Sequence, residues 1–540
     1  MARTNAFDVC VIGSGPAGGV LAKELAEAGA KVALVEAGRL MGPRDFHPHA
    51  WPYELPYRGL KDGLLPTAAY PSEVTKAIRY QDCDSILVDR IRAVGGRSIH
   101  WNGTCLRFAP RDFRERSTEG IEEDWPLTYP ELAPHYSYLE KMIGVCGTRE
   151  DLEIIPDGEF LPPLKLRCSE SIVKRACARL GIPMIPARRA LLTEPYDDRP
   201  PCHYCGHCMD GCDVGAIFTV PNSMLPKAER TGNFTLISNK VAREIVVDKE
   251  GKARAVSVVD TRTRHEEEIR ASLFAVCCGT IESARLLLNS SSPQFPNGLA
   301  NSSDLVGRFL TGHFESTTFA YLEDLVGTPS VNNDGAFDHS YIPRFNMDRK
   351  TRGYAGGYHY QLQIYSAMFP YHAKHLPGFG RQFKKQVRIL QPGFVTLSGY
   401  GKVLARLENR VTVDPHHLDV YGIPIPVIQF RFGENERAML KDINEDAQEI
   451  LHAARSRFMF HMSSEPSGFA SHETGTARMG RDPRRSVLNS HCLAHDVNNL
   501  FVVDGSCFTT FPEKNPTHTI MALAVRAARY MASEVRKGNL

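Results

Sequence analysis

A chain of 540 residues is too long for one simple core and points to two closely joined domains. Its 64 basic and 62 acidic residues leave a net charge of +2, which gives no sign of the basic stripe a nucleic-acid binder carries. Hydrophobic residues make up an ordinary 42%, no apolar run reaches the roughly 18 residues that span a bilayer, and the opening MARTNAFDVCVIG lacks the layout of a signal peptide. The expectation is a cytoplasmic protein without an integral membrane segment, or a periplasmic one co-exported with a signal-bearing partner.

Residues 7–36 read as strand, glycine turn, helix and strand. FDVCVIG is a short buried β-run, PAGGVLAKELAEAG carries apolar residues at helical spacing and ends on Gly29, and KVALVEAG is a second β-run. The turn holds Gly13-x-Gly15-x-x-Gly18. Gly13 permits the tight bend, Gly15 lets a pyrophosphate approach the backbone, and Gly18 lets helix and strand pack closely. Glu36 ends the second strand, where a carboxylate accepts bonds from a ribose 2′-OH. Together these predict dinucleotide binding, without deciding between NAD and FAD.

From there to about residue 90 the chain is rich in Pro, Tyr and Gly and reads as loop that covers the cofactor. A Gly-rich segment, AVGGRSIHWNG, follows, and residues 125–190 look helical and polar. Cys202, Cys205, Cys208 and Cys212 then occur as C-x2-C-x2-C-x3-C, the spacing of bacterial ferredoxins, with Asp213 in place of the usual proline. An iron–sulfur cluster is expected there, zinc less so because its cysteine pairs stand further apart. The bland alternative is four free thiols.

Residues 233–289 return to the nucleotide fold. TLISNKVAREIVVD, which contains the candidate cofactor contact Val241, and ARAVSVVD alternate as strands do. SLFAVCCG is a buried run with the helix TIESARLLLNS behind it. From about 313 to 465, aromatic β-prone stretches such as HYQLQIYSAMF and IPVIQFRF predict a separate antiparallel sheet. The expected organisation is a discontinuous nucleotide-binding domain at 1–312 and 466–540, with the cysteine loop at 200–216, and a substrate-binding domain at 313–465.

Three C-terminal segments carry a resemblance. They are His472-Glu-Thr-Gly475-Thr476-Ala-Arg478-Met479-Gly480, FVVDGSCF with Asp504 and Gly505, and Asn515-Pro516-Thr517-x-Thr519 before a long helix. With the glycine fingerprint, VGGRSIHW, CCGTIESARLLL and VGRFLTGH, they resemble in order the segments of the glucose–methanol–choline (GMC) oxidoreductases. The resemblance implies an α/β fold, a Rossmann-like FAD-binding domain with an inserted antiparallel-sheet substrate domain. It implies FAD as cofactor, with contacts from Gly95, Gly96, Ser98, His100, Trp101, Asn102, Asp504, Gly505, Asn515, Pro516 and Thr517. The sequence is most similar to pyranose oxidases and to bacterial FAD-dependent sugar dehydrogenases of the glucoside 3-dehydrogenase kind. His100 matches a histidine that bonds covalently to flavin in the former; a noncovalent contact is preferred here. The C-x5-C-x3-C of Cys202, Cys208 and Cys212 resembles the loop holding a three-iron cluster in the latter.

Alcohol oxidation requires a base for the hydroxyl proton, and histidine, with an ordinary pKa near 6.5, suits it. His472 is the candidate. Asn515 does not titrate but orients a hydroxyl, and Asn515-Pro516 also reads as a helix cap followed by proline. His518 either lines the substrate pocket or packs. The expected reaction is oxidation of a secondary sugar hydroxyl, at C2 or C3, to a ketone, with electrons passed to an external acceptor or an electron-accepting partner subunit. The rivals are an oxidase that uses O2 and makes H2O2, a non-redox lyase on the same scaffold, and a non-catalytic electron-transfer flavoprotein.

Overall fold

The computed structural model describes residues 7–46, 78–84, 86–88, 90–206, 208, 211–329, 338–347, 349–363, 373, 376–461, 465–466, 468–469 and 472–539. The expected covering loop before residue 90 and the end of HYQLQIYSAMF fall largely outside them.

A parallel sheet lies at the centre of the first unit. Strand Phe7–Ile12 pairs with Val32–Val35 on one side and with Glu266–Val276 on the other. Phe234–Ile237 and Leu500–Val502 extend it at the two ends, both parallel. VALV and the last four residues of FDVCVI are buried, and the helix Pro16–Glu27 packs on both strands, which explains why they read as unbroken apolar runs. The Glu266–Val276 strand changes character midway. Its EEE start is exposed and pairs antiparallel with Ala253–Asp260, whereas its LFAV end is buried between parallel neighbours.

The helix Pro16–Glu27 starts from Gly15 with proline in its first turn and ends before Gly29, whose φ of +95° suits glycine. It packs against the last helix, Thr517–Lys537, which buries Met521, Leu523, Val525 and Met531. Side chains of this size contribute about 1.5–3 kcal/mol each when fully buried.

The second unit is a six-stranded antiparallel sheet in the order 456–461, 313–322, 394–402, 358–363, 338–342, 185–186. Five of its strands come from the stretch read as a separate antiparallel sheet; the sixth, Ile185–Pro186, comes from far upstream. The helix Glu434–Ala453 covers one face with Leu440, Ile443, Ala447 and Ile450. Gly399 and Gly401 let it and Phe314 sit close, since a Cβ at either would meet Ile443 or the Phe314 ring.

The register decides what the opposite face carries. Directly opposed residues of antiparallel strands share a face. His359, Tyr400 and Glu315 therefore form one row, Gln361, Ser398 and Thr317 the next, and Gln363 and Thr396 a third that ends on Asp338. This face is polar yet mostly buried, and it is turned toward the last segment of the chain.

Candidate active site

The glycine fingerprint forms as expected. Gly13 has a φ of +98°, and a Cβ on Gly18 would collide with the Gly13 carbonyl. A Cβ on Gly15 would meet nothing within 4 Å, so the backbone at the helix N-terminus is open to a ligand. Glu36 is less free than the sequence suggested. Ser14 donates to its Oε2 from Oγ at 2.6 Å and from N at 3.1 Å, and Gly38 N donates to Oε1 at 2.8 Å. Its pKa is raised by burial and held back by those bonds.

Gly13, Gly15 and Glu36 line a cleft that also takes in Gly96 and Val241. Asp504, Gly505, Pro516 and Thr517, where the last helix begins, line the same cleft. Asp504 Oδ2 accepts from Gly279 N at 2.9 Å and Ser283 Oγ at 2.6 Å, so it braces the cleft wall. Arg90 and Arg92, outside every motif read in the sequence, also line the cleft, as does Arg97 of the Gly-rich segment. An open helix N-terminus, a carboxylate at the strand end and a long cleft with cationic walls fit a dinucleotide with its pyrophosphate.

The other expected cofactor residues serve the loop around the cleft. Gly95 N donates to Ser14 Oγ at 2.9 Å, which ties the Gly-rich segment to the fingerprint. Ser98 Oγ donates to Gly95 O at 2.6 Å and accepts from Val220 N. His100 follows directly as the cap of the short turn Gly96–Ile99. Trp101 Nε1 donates to Phe218 O at 2.8 Å, and Asn102 Nδ2 reaches across to Asp338 Oδ2 at 2.7 Å in the second sheet.

His472 and Asn515 meet. Asn515 Nδ2 lies 3.3 Å from His472 Nε2. His472 Nδ1 lies 3.0 Å from Nδ1 of His313, whose Nε2 is 2.8 Å from the Pro512 carbonyl. Gln361 Nε2 donates to Asn515 Oδ1 at 3.1 Å, and His359 Nδ1 lies 2.5 Å from the Glu513 carbonyl. His313 stacks on Phe511 at 4.3 Å between ring centroids. Burial, together with His313, His359 and Arg97 nearby, pushes the pKa of His472 well below 6.5. The same surroundings favour the neutral form of the His472 ring.

One expectation changes at this point, and one open alternative is decided. Asn515 does not cap the last helix: that helix starts at Thr517 after Pro516, with no side-chain cap bond, while the Asn515 amide is engaged by Gln361 and His472. His518 packs. It is fully buried, 4.8 Å from the Tyr136 ring, with Nε2 3.8 Å from Glu140. His313, His359 and Gln361 are the residues the sequence reading missed. For His359 and Gln361 the signal was present in H-Y-Q-L-Q, where every second residue of a buried β-run is polar.

Cys202, Cys208 and Cys212 join Cys146 in one small apolar cluster beneath Trp101. Cys202, Cys208 and Cys212 are free thiols, and burial raises Cys202 to about 12. Among the described residues no group of His, Cys, Asp or Glu is arranged to hold a metal ion. The described residues of the loop thus give the expected cluster no support. Nor is any described helix long and apolar enough to cross a membrane.

The sequence matches two GMC oxidoreductase family models, an N-terminal one over residues 22–315 and a C-terminal one over 405–524. It is 31% identical to 2-methyl-1,2-propanediol dehydrogenase of Mycolicibacterium austroafricanum, over 97% of this chain and 95% of that one. It is 28% identical to the fructose dehydrogenase large subunit of Gluconobacter japonicus, over 99% of each. The fold matches formate oxidase of Aspergillus oryzae, a structure described for its FAD modification, with a TM-score of 0.68 at 15% identity over the whole of both chains.

Proposed function

The chain belongs to the GMC oxidoreductases, FAD-binding enzymes, and from that premise we propose that it oxidises a secondary hydroxyl of a sugar or glycoside, at C2 or C3, to a ketone. The observation that carries the reading is the convergence of His472 and Asn515 beside the buried polar face of the sheet. Glu315, Tyr400, Ser398, Gln361 and Gln363 offer donors and acceptors in ordered rows, which suit a molecule with several hydroxyls better than an apolar alcohol. The relative that acts on fructose supports a sugar; the one named for a diol shows that a smaller alcohol belongs in the same test.

In this reading Gly15 and the N-terminus of the Pro16–Glu27 helix would hold the pyrophosphate of FAD, and Gly505 and Thr517 would line the same cleft. When bound, FAD accepts the hydride from the carbinol carbon. His472 Nε2 takes the hydroxyl proton, and the Asn515 amide holds that oxygen in place. The N-terminus of the Thr517–Lys537 helix turns its positive end to the cleft, where it favours negative charge.

The test is an anaerobic panel of D-glucose, D-fructose, methyl glucosides and 2-methyl-1,2-propanediol, read by flavin bleaching. Bleaching by a sugar, lost by about 10²–10⁴-fold in His472→Ala, is expected. No bleaching by any of them would leave the lyase reading in place. Relatives at 28% identity include both a dehydrogenase and oxidases, so peroxide is measured beside dye reduction; dye reduction without peroxide is the outcome that matches an external acceptor. No electron path is drawn through the cysteine loop. Iron in freshly and anaerobically purified protein, lost in Cys208→Ser, would restore one.

A further inference from the structure

The hydrogen-bond network around His472 has only one consistent arrangement of protons. A carbonyl oxygen accepts and never donates, so His313, 2.8 Å from the Pro512 carbonyl, carries its proton on Nε2. A neutral imidazole with a proton on Nε2 has a bare Nδ1. That atom lies 3.0 Å from Nδ1 of His472, and one proton must stand between them. It comes from His472, whose Nε2 is then bare.

A second arm gives the same answer independently. His359 donates from Nδ1 to the Glu513 carbonyl, which leaves its Nε2 to accept from Gln361 Nε2 at 3.2 Å. The same Gln361 amide donates to Asn515 Oδ1 at 3.1 Å, which fixes which end of Asn515 is which. The Asn515 NH2 group therefore faces His472 Nε2, and an NH2 group demands a bare acceptor there. The two arms start on adjacent carbonyls, Pro512 and Glu513, and meet at one lone pair.

We propose that His313 is a positioning residue: it holds the proton of His472 on Nδ1 and so makes Nε2 the basic atom, with the Pro512 carbonyl setting its own tautomer. The proposal rests on the reading of His472 as base. An imidazole side chain left to itself in water prefers the opposite tautomer, with the proton on Nε2, which would turn a donor and not a base toward the substrate. When His472 Nε2 takes the hydroxyl proton, the imidazolium formed keeps its Nδ1 proton bonded to His313. The anchoring segment is itself fixed, since the buried Lys514 pairs with Asp112 and Glu513, each at 2.8 Å. Burial lowers His313 to about 4 and His359 to about 3, which keeps both arms built of neutral rings.

Three FAD-loaded proteins test this: the parent, His313→Phe, which keeps the stack on Phe511 without ring nitrogens, and His313→Asn, which keeps an acceptor near His472 Nδ1. Each carries ¹⁵N-labelled histidine, and the His472 signals are assigned by their loss in His472→Ala. The expected spectra show His472 protonated on Nδ1 in the parent and in the Asn variant, and shifted toward Nε2 protonation in the Phe variant, where only the Asn515 amide still favours a bare Nε2. Flavin reduction by D-glucose or D-fructose, whichever bleaches the parent, should fall in the Phe variant in step with the lost Nδ1-protonated fraction, up to the about 10²–10⁴-fold set by general-base loss and by a wrong tautomer in other enzymes. The Asn variant should recover most of that loss. A parent spectrum with the proton on Nε2, which needs no variant to fold, overturns the proposal, as does a Phe variant with unchanged spectrum and rate. Full flavin reduction in His472→Ala would instead remove the base assignment and leave the tautomer result standing.

Discussion

Asn515 Nδ2 sits 3.3 Å from His472 Nε2, and the same amide accepts from Gln361 through its oxygen. One side chain thus joins the candidate base to the polar sheet face. Replacing it by alanine should slow anaerobic flavin reduction by less than His472→Ala does, because the base and its His313 bond remain. Since Asn515 makes no cap bond, the last helix should not lose the roughly 1 kcal/mol that a true cap contributes. A loss of flavin reduction as large as that of His472→Ala in a folded Asn515→Ala protein would show that the amide does more than orient.

Glu36 carries two duties in the structure. It stands in the cofactor cleft, and it accepts three hydrogen bonds from Ser14 and Gly38 that hold the fingerprint turn. Glu36→Arg should therefore yield protein with less FAD per chain and also a lower Tm after the FAD has been stripped. A variant that holds FAD as tightly as the parent would mean that the cleft is misassigned. An unchanged Tm of the stripped protein would remove the second duty alone.

How far the sequence carried follows the range of the signals. FDVCVIG, the glycine turn and the first helix were readable because their cause is local: a buried run, a φ requirement and a helical period. His472 and Asn515 stood inside recognisable segments. His313 also stood in one, VGRFLTGH, yet its contact with His472 spans 159 residues and depends on where the sheet packs against the 512–515 segment. His359 and Gln361 gain their place from the register with Ser398 and Tyr400, which alternation in one strand cannot supply. The Asn-Pro cap failed for the same reason, because a local preference gave way to a tertiary bond.

His100 closes the Gly96–Ile99 turn at the edge of the loop that Ser14 ties to the fingerprint. The preferred reading is a noncovalent flavin. Acid precipitation should give a colourless pellet and free FAD in the supernatant. A yellow pellet in the parent that turns colourless in His100→Ala would instead establish a covalent bond at this histidine.

The buried histidines also tie stability to pH. His518 is fully buried, and that burial lowers its pKa to about 4, against an ordinary value of 6.5. Between pH 6.5 and about 4 the unfolded chain takes up a proton at this residue and the native protein does not. Stability from this group is therefore present above pH 6.5 and is lost as the pH falls through that window, at up to about 1.4 kcal/mol per pH unit. Buried carboxyls pull the other way. Burial raises Asp338 and Glu115 to about 7, so they take up protons in the native state first, and they add stability as the pH falls. The whole-protein curve mixes the two, and a difference measurement separates them. His518→Phe removes one titrating group at a packing position beside Tyr136 and away from the cleft. The denaturant midpoint of the parent should fall relative to that of His518→Phe as the pH drops from 6.5 to 4, and the difference between them should be constant from pH 7 to 8. A gap that stays flat across the acid window would show that His518 is protonated in the native protein, and hence that Glu140, 3.8 Å away, outweighs burial.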